Sequence, residues 1–140
     1  MNKEQEAVAA FHRAFDVAVA STPCAPDDAT RRLRERLIDE EFAELREAMA
    51  EGSVPQIAKE LADLLYVVYG TAVSCGMDME AVFAEVHRSN MSKVGGHKRE
   101  DGKWIKPASY SPARVEPMLE AQGWTDPSQA LVSEPQPMSR

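Results

Sequence analysis

The sequence predicts an all-α fold: a four-helix bundle that dimerises through its helices, followed by a C-terminal loop and tail. Apolar residues recur at helical spacing in four segments separated by Pro- and Gly-containing breaks. The 140 residues suffice for one domain with its own core. Beyond Asp63 the third predicted helix is apolar on nearly every side, so a second copy of the chain is expected to help cover it. We assign residues 1–122 to the domain and 123–140 to a tail with little order.

Each helix has its own start and stop signals. The helices are predicted over residues 3–20, 29–50, 55–75 and 79–93, with a loop over 94–110 and a short helix within 112–121. The predicted buried stripes are Val8, Phe11, Phe15 and Val19 in the first helix and Met79, Val82, Phe83 and Val86 in the fourth. Pro23 and Pro26 end the first helix, and Gly76 ends the third. Early in the second helix, a solvated face is expected for Arg31, Arg32, Arg34 and Arg36.

Composition excludes several classes of protein. The net charge of −7 argues against binding to a nucleic-acid polymer, whereas a nucleotide bound through a metal remains compatible. Cys24 and Cys75 belong to no zinc pattern and are expected to be free thiols in a reducing cytoplasm. The polar N-terminus predicts no signal peptide, and the apolar run of residues 61–73 is too short to span a membrane.

Paired carboxylates on two successive helices are the main candidate site. Glu41 and Glu44 share one face of the second helix, as do Glu60 and Asp63 on the third. Asp63 is the only charged residue between residues 61 and 76, and a lone carboxylate there is costly unless it is paired or metal-bound. We expect no Arg or Lys on the same face within a turn. All-oxygen ligation therefore predicts a hard cation, Mg²⁺ or Mn²⁺.

These motifs carry a resemblance to a known family. Glu-Glu-x-x-Glu at residues 40–44 followed by Glu-x-x-Asp at 60–63 resembles the signature of the MazG-like and phosphoribosyl-ATP-pyrophosphohydrolase-like all-α nucleoside triphosphate pyrophosphohydrolases. The likeness spans roughly residues 6–112, and its further motifs lie at 11–15, 62–70, 87–93 and 101–103. The resemblance implies a MazG-like bundle, a homodimer or higher oligomer, and one to three Mg²⁺ ions in each site.

Roles follow for individual residues. The candidate metal ligands are Glu40, Glu41, Glu44, Glu60 and Asp63, and the candidate catalytic residues are Glu40 and Glu41. Glu40 lies about 100° off the face of the other acids, so it is either a second-metal ligand or the general base on the attacking water. The candidate substrate-binding residues are Asn90, Lys93, His12, Lys103, Lys106 and Tyr110. For His12 a packing role is the alternative. For Asn90 and Lys93 the alternative is a frayed helix end, and for the loop it is a solvated hairpin.

The residues by themselves predict metal-assisted phosphate chemistry. The resemblance implies hydrolysis of a nucleoside triphosphate to the monophosphate and pyrophosphate, a housecleaning role with dUTP or another dNTP as the leading substrate. Phosphoribosyl-ATP is the alternative substrate. A non-catalytic nucleotide-binding regulatory bundle remains open. A di-iron bundle is disfavoured, because no histidine has an acid three residues before it.

Overall fold

A computed structural model describes residues 1–130 and confirms the all-α class. The helices are α1 (Lys3–Ala14), α2 (Asp28–Glu51), α3 (Val54–Ser74), α4 (Met79–Met91), α5 (Glu116–Glu120) and α6 (Pro127–Ala130). Two short antiparallel strands, β1 (His97–Lys98) and β2 (Trp104–Ile105), form a hairpin between α4 and α5. The predicted tail of residues 123–140 therefore includes the short α6, and its last ten residues lie outside the described range.

The pair formed by α2 and α3 is the longest packed unit of the fold. Asp27 begins α2, because its carboxylate accepts a hydrogen bond from the backbone N–H of Thr30 at 2.8 Å. Gly52 ends α2 in the left-handed conformation with a φ of 76°. The connection to α3 is only two residues long, so the helices fold back on each other. Acids from both helices can therefore meet across the α2–α3 groove.

The buried face of α1 differs from the predicted stripe. Val8 and Ala9 pack with Val73 of α3. The other buried α1 residues are polar, and one of them is Gln5, which hydrogen-bonds the backbone of Met77 and Met79. The predicted core residues Phe11, Phe15 and Val19 are exposed by 40%, 67% and 44%. The prediction was wrong here because hydrogen bonding, rather than hydrophobicity alone, decided which face of α1 is turned inward.

The predicted extension of α1 to residue 20 was also wrong. The helix ends at Ala14, and Asp16 then takes a left-handed conformation with a φ of 55°. Residues 17–24 form a strap across the end of α3. The N–H of Ala20 donates to the carbonyl of Val73 at 3.2 Å, and that of Cys24 donates to Cys75 at 2.9 Å. Cys24 and Cys75 are free thiols in this structure.

The fourth helix has its main helix contact with α5. Asp78 caps its start, and Val82 and Ser89 are its buried residues. Phe83, expected in the buried stripe, is 70% exposed. The end of α4 is joined to the segment after the hairpin, since the N–H of Ser111 donates to the hydroxyl of Ser92 at 2.8 Å. No helix within residues 1–130 combines the length and apolarity that a membrane span requires.

Candidate active site

Three of the predicted metal ligands meet across the α2–α3 groove. Glu41 on α2 and Glu60 and Asp63 on α3 each offer a carboxylate oxygen, and these three oxygens lie within 4.8 Å of one another. Glu60 is 2% exposed and accepts a hydrogen bond from the Gln56 amide. Glu60 and Asp63 are three residues apart, so their side chains lie on the same face of α3, the face that meets α2. Three carboxylates this close form an all-oxygen donor set suited to a hard divalent ion.

The carboxyl group of Glu41 has a raised pKa. Its partial burial is the largest cause of a raised pKa, and the neighbouring charges of Glu44 and Asp63 raise the pKa further. Lys59 acts in the opposite direction. The negative charges therefore repel one another in the metal-free protein, which is the condition that a bound cation relieves.

A basic side chain does lie among these acids, so the expectation of none was wrong. The ammonium nitrogen of Lys59 lies 2.8 Å from a carboxylate oxygen of Asp63 and 3.3 Å from both carboxylate oxygens of Glu60. The hydrogen bond to Asp63 is the largest cause of a raised pKa of Lys59, and the hydrogen bond to Glu60 is the second largest. The signal was present in the sequence, since Lys59 and Asp63 stand four residues apart on one helix face.

The remaining two acids, Glu44 and Glu40, have different surroundings. Glu44 and Glu60 line an acidic cleft of about 260 Å³ together with Glu47 and Glu51. Glu44 is also close enough to influence the charge state of Glu41. Glu40 is 57% exposed, with an oxygen 3.9 Å from the guanidinium of Arg36. Its role as base or ligand stays a prediction.

Four of the six predicted substrate-binding residues form a second, basic cluster. The Lys93 ammonium donates to the side-chain oxygen of Asn90 at 2.6 Å and lies 6.0 Å from the Tyr110 ring centroid. Lys106 lies 4.2 Å from the same centroid. A hydrogen bond with Ser89 is the main cause of a lowered Tyr110 pKa, and the two lysines lower it further. The cluster joins the end of α4 to the segment after the hairpin and offers two cations to an anionic group.

The other two predicted residues lie elsewhere. Lys103 is exposed in the hairpin turn, where its N–H donates to Asp101 and its carbonyl accepts from Arg99. The predicted loop thus contains the hairpin that was the alternative for this segment. His12 is 2% exposed in the interior, and its substrate role stays a prediction.

A buried Arg34–His12 pair was missed by the sequence analysis. Arg34 was expected on a solvated face but is 7% exposed, and its Nη1 lies 3.3 Å from His12 Nε2. The pair packs on Gly70, where an added Cβ would lie 2.5 Å from Arg34 Nη1 and 3.0 Å from His12 Nε2. Arg34 stands seven residues before Glu41, on the same stripe of α2, and that spacing was the available signal.

Comparison with known proteins decides the family. A model of the phosphoribosyl-ATP pyrophosphohydrolase family matches residues 8–90, which is more than half of the chain. The chain belongs to this family. No curated protein matches the sequence. The family match supports an enzyme with nucleotide pyrophosphohydrolase-type activity, and such enzymes are typically metal-dependent.

The match includes the acids of this pyrophosphohydrolase but not most of its basic cluster. All five acids lie within residues 8–90, and Asn90 is the last residue matched. Lys93, Lys106 and Tyr110 lie beyond it. The carboxylate cluster therefore belongs to the part of the chain that the family shares. Most of the basic cluster lies outside the matched residues, so its contacts are known from the structure of this chain alone.

Proposed function

We propose that the enzyme hydrolyses a nucleoside triphosphate, with dUTP or another dNTP as the leading substrate, to the monophosphate and pyrophosphate in a Mg²⁺-dependent reaction. The supporting observation is the cluster of Glu41, Glu60 and Asp63, which lies within the family-matched part of the chain. Mn²⁺ is the alternative ion, because the donor set is oxygen only. One to three ions in each site remain part of the proposal.

The acidic cluster would provide the metal-binding half of the site. Glu41, Glu60 and Asp63 hold the ion, and Glu44 adds negative charge beside them. An ion held there would neutralise phosphate charge and lower the pKa of an attacking water. Glu40 would accept the proton of that water or help to hold a further ion. Gln56 keeps Glu60 in place through its amide hydrogen bond.

The basic cluster would provide the phosphate-binding half. Lys93 and Lys106 present compact positive charges over Tyr110. Asn90, held by Lys93, can donate its amide N–H groups to a sugar or phosphate oxygen. Charge developing on the departing pyrophosphate is stabilised best by donors that are already in place.

Phosphoribosyl-ATP is the second candidate substrate, and membership of the phosphoribosyl-ATP pyrophosphohydrolase family favours it. Both candidates place a scissile phosphoanhydride next to a bound metal, so the acidic cluster alone does not choose between them. A regulatory bundle that binds a nucleotide without cleaving it is the alternative from another class.

The experiment is pyrophosphate release from a panel of NTPs and dNTPs, including dUTP, together with phosphoribosyl-ATP, with and without Mg²⁺. Metal-dependent release from dUTP or a few dNTPs supports the leading proposal. Release from phosphoribosyl-ATP alone selects the second candidate. Binding of nucleotide without any release, in the presence of Mg²⁺ or Mn²⁺, contradicts an enzymatic role.

We also propose that the enzyme is a homodimer or a higher oligomer. In the single chain, α3 carries an exposed apolar surface, on which Leu61, Leu65 and Tyr66 are exposed by 47%, 56% and 41%. Burying such a surface against a second copy removes it from water.

We place the enzyme in the cytoplasm, because Cys24 and Cys75 are free thiols.

A further inference from the structure

Lys59 lies against oxygens that the proposed metal would need. Its ammonium is 2.8 Å from Asp63 Oδ2 and 3.3 Å from both oxygens of Glu60. Glu60 and Asp63 are two of the three members of the carboxylate cluster. Lys59 is thus the cation that this chain itself supplies to the cluster.

An ammonium and a divalent ion cannot share these oxygens closely. An ammonium hydrogen-bonds a carboxylate at about 2.7–2.9 Å, whereas Mg²⁺ binds oxygen at about 2.0–2.1 Å and demands a near-octahedral arrangement. Both cations at the same two carboxylates would lie a few ångströms apart and repel each other. Entry of the metal therefore requires the Lys59 ammonium to move away.

The surroundings of Lys59 allow that movement. Its side chain is 57% exposed, whereas that of Glu60 is 2% exposed. The lysine stem has four flexible carbons, so its head can turn to solvent while the buried carboxylate stays fixed. The Gln56 side-chain amide donates a hydrogen bond to Glu60, and because this donor is neutral it does not repel an incoming cation.

We propose that Lys59 is a built-in counter-ion that stabilises the metal-free carboxylate cluster and competes with the divalent ion for Glu60 and Asp63. This inference rests on the proposed metal-dependent function. Its consequence is a pair of opposite effects: the lysine raises the stability of the metal-free protein and weakens metal binding. A lysine that merely lies on the surface would produce neither effect.

The test compares Lys59→Met, Lys59→Arg and the control Lys3→Met. Methionine keeps an unbranched stem and removes the charge, and arginine keeps the charge. Lys3 is an exposed residue on α1, so Lys3→Met changes the net charge by the same amount. Its neighbour Asn2 contacts Tyr69, which is ten residues or about 15 Å along α3 from Lys59. Each metal-stripped protein is titrated with Mg²⁺ and Mn²⁺ by calorimetry, and its melting temperature is measured with and without metal.

We expect Lys59→Met to tighten metal binding about tenfold, the scale of one close charge–charge interaction at an exposed site. We also expect it to lower the metal-free melting temperature and to enlarge the increase that metal produces. Lys59→Arg should stay near wild type, as should Lys3→Met. Unchanged or weaker metal binding by Lys59→Met would overturn the competition. Absence of binding to wild type and all variants would overturn the metal site itself, so the two failures are distinguishable.

Discussion

The guanidinium of Arg34 on α2 and the imidazole of His12 on α1 are buried against each other, with Nη1 and Nε2 3.3 Å apart. His12 Nδ1 lies 2.9 Å from the carbonyl oxygen of Ala18, a contact that fits an imidazole donating from Nδ1 and accepting from Arg34 at Nε2. A neutral His12 therefore satisfies both neighbours. Protonation at Nε2 would set two positive charges side by side.

The first prediction concerns acid stability. Burial lowers the pKa of His12 below its ordinary value of 6.5, the Arg34 charge lowers it further, and the Ala18 carbonyl opposes part of the shift. In the window between the lowered pKa and 6.5, the unfolded chain binds a proton that the folded protein does not. His12 therefore contributes a loss of stability as pH falls below about 6.5. We expect His12→Gln to flatten the dependence of melting temperature on pH in this window.

The matched control is His87→Gln, which changes an exposed histidine of α4. It should leave the slope of melting temperature against pH as in wild type. Equal slopes in wild type, His12→Gln and His87→Gln would contradict the assignment of the acid sensitivity to the buried pair.

The second prediction is that Glu41→Gln trades stability against activity. Burial, Glu44 and Asp63 raise the pKa of Glu41. At a pH above that pKa, the negative charge of Glu41 therefore destabilises the folded protein. The substitution should raise the melting temperature of the metal-free protein at neutral pH, and the gain should shrink as pH falls and Glu41 becomes protonated. Turnover should fall about a hundredfold or more, because even groups that only support metal ligands are worth about 10- to 100-fold. Melting curves and pyrophosphate-release assays on the wild type and the variant check both effects. A lower melting temperature of metal-free Glu41→Gln would show that the Glu41 charge does not destabilise the folded protein.

The third prediction separates the roles of Asp63 and Glu40. Asp63→Asn should abolish turnover and weaken Mg²⁺ binding while leaving the helical circular-dichroism spectrum intact. If Glu40 is the base, Glu40→Gln should lower kcat and leave the Kd for Mg²⁺ near that of wild type. A Glu40→Gln variant with weakened metal binding would make Glu40 a ligand. Normal Mg²⁺-dependent turnover in Asp63→Asn would remove the metal assignment.

The fourth prediction concerns the basic cluster. Lys93→Ala should lower kcat/KM by about tenfold to a hundredfold, the range for loss of a hydrogen bond to a charged group. Lys3→Ala, which removes an equal charge from α1, should retain wild-type kinetics. Kinetics of Lys93→Ala that match those of Lys3→Ala would place Lys93 outside the substrate site.

The fifth prediction concerns the oligomer. Leu65→Glu places a charge on the exposed apolar face of α3 and should convert the proposed oligomer into monomers in light-scattering chromatography. Ala10→Glu, on the exposed side of α1, is the control and should leave the oligomer intact. Monomeric wild-type protein at assay concentration would contradict the proposal.

A mixing experiment asks whether the two clusters meet across subunits. The acids lie on the α2–α3 pair, whereas the basic cluster joins the end of α4, whose main helix contact is α5, to the segment after the hairpin. If one subunit supplies the acids and its partner the lysines, mixed Glu41→Gln and Lys93→Ala chains should recover about a quarter of wild-type activity, from one intact site in each mixed dimer. Activity no higher than the average of the two variants would place both clusters of one site in the same chain.

Local patterns predicted the bounds of α2 and α3 closely and indicated that acids on these two helices would lie near one another. The signals for α2 and α3 are strong, because Asp27, Gly52 and Pro55 mark their ends and the acids recur at helical spacing. Spacing also placed Glu41, Glu60 and Asp63 on facing stripes. These features depend on residues that are close in sequence, where helix geometry fixes direction.

Features that depend on distant contacts were not predicted. Gln5 and His12 are buried because backbone atoms more than five residues away accept or donate hydrogen bonds to them, and no pattern within α1 reveals those partners. The early end of α1 follows from the strap that binds α3. Lys59 is different, because its spacing of four residues from Asp63 is that of a helical ion pair and is readable from the sequence.

The two-residue connection at Gly52 also bears on the order of folding. The three clustered carboxylates all lie between residues 41 and 63, on two helices that such a short turn brings together. Contacts between chain neighbours form with little loss of loop entropy, whereas docking of α1 on α3 closes a loop of some sixty residues. We therefore expect the α2–α3 hairpin to form before α1 docks. A divalent ion could then bind to a partly folded chain and hold the hairpin together while the rest of the protein assembles around it.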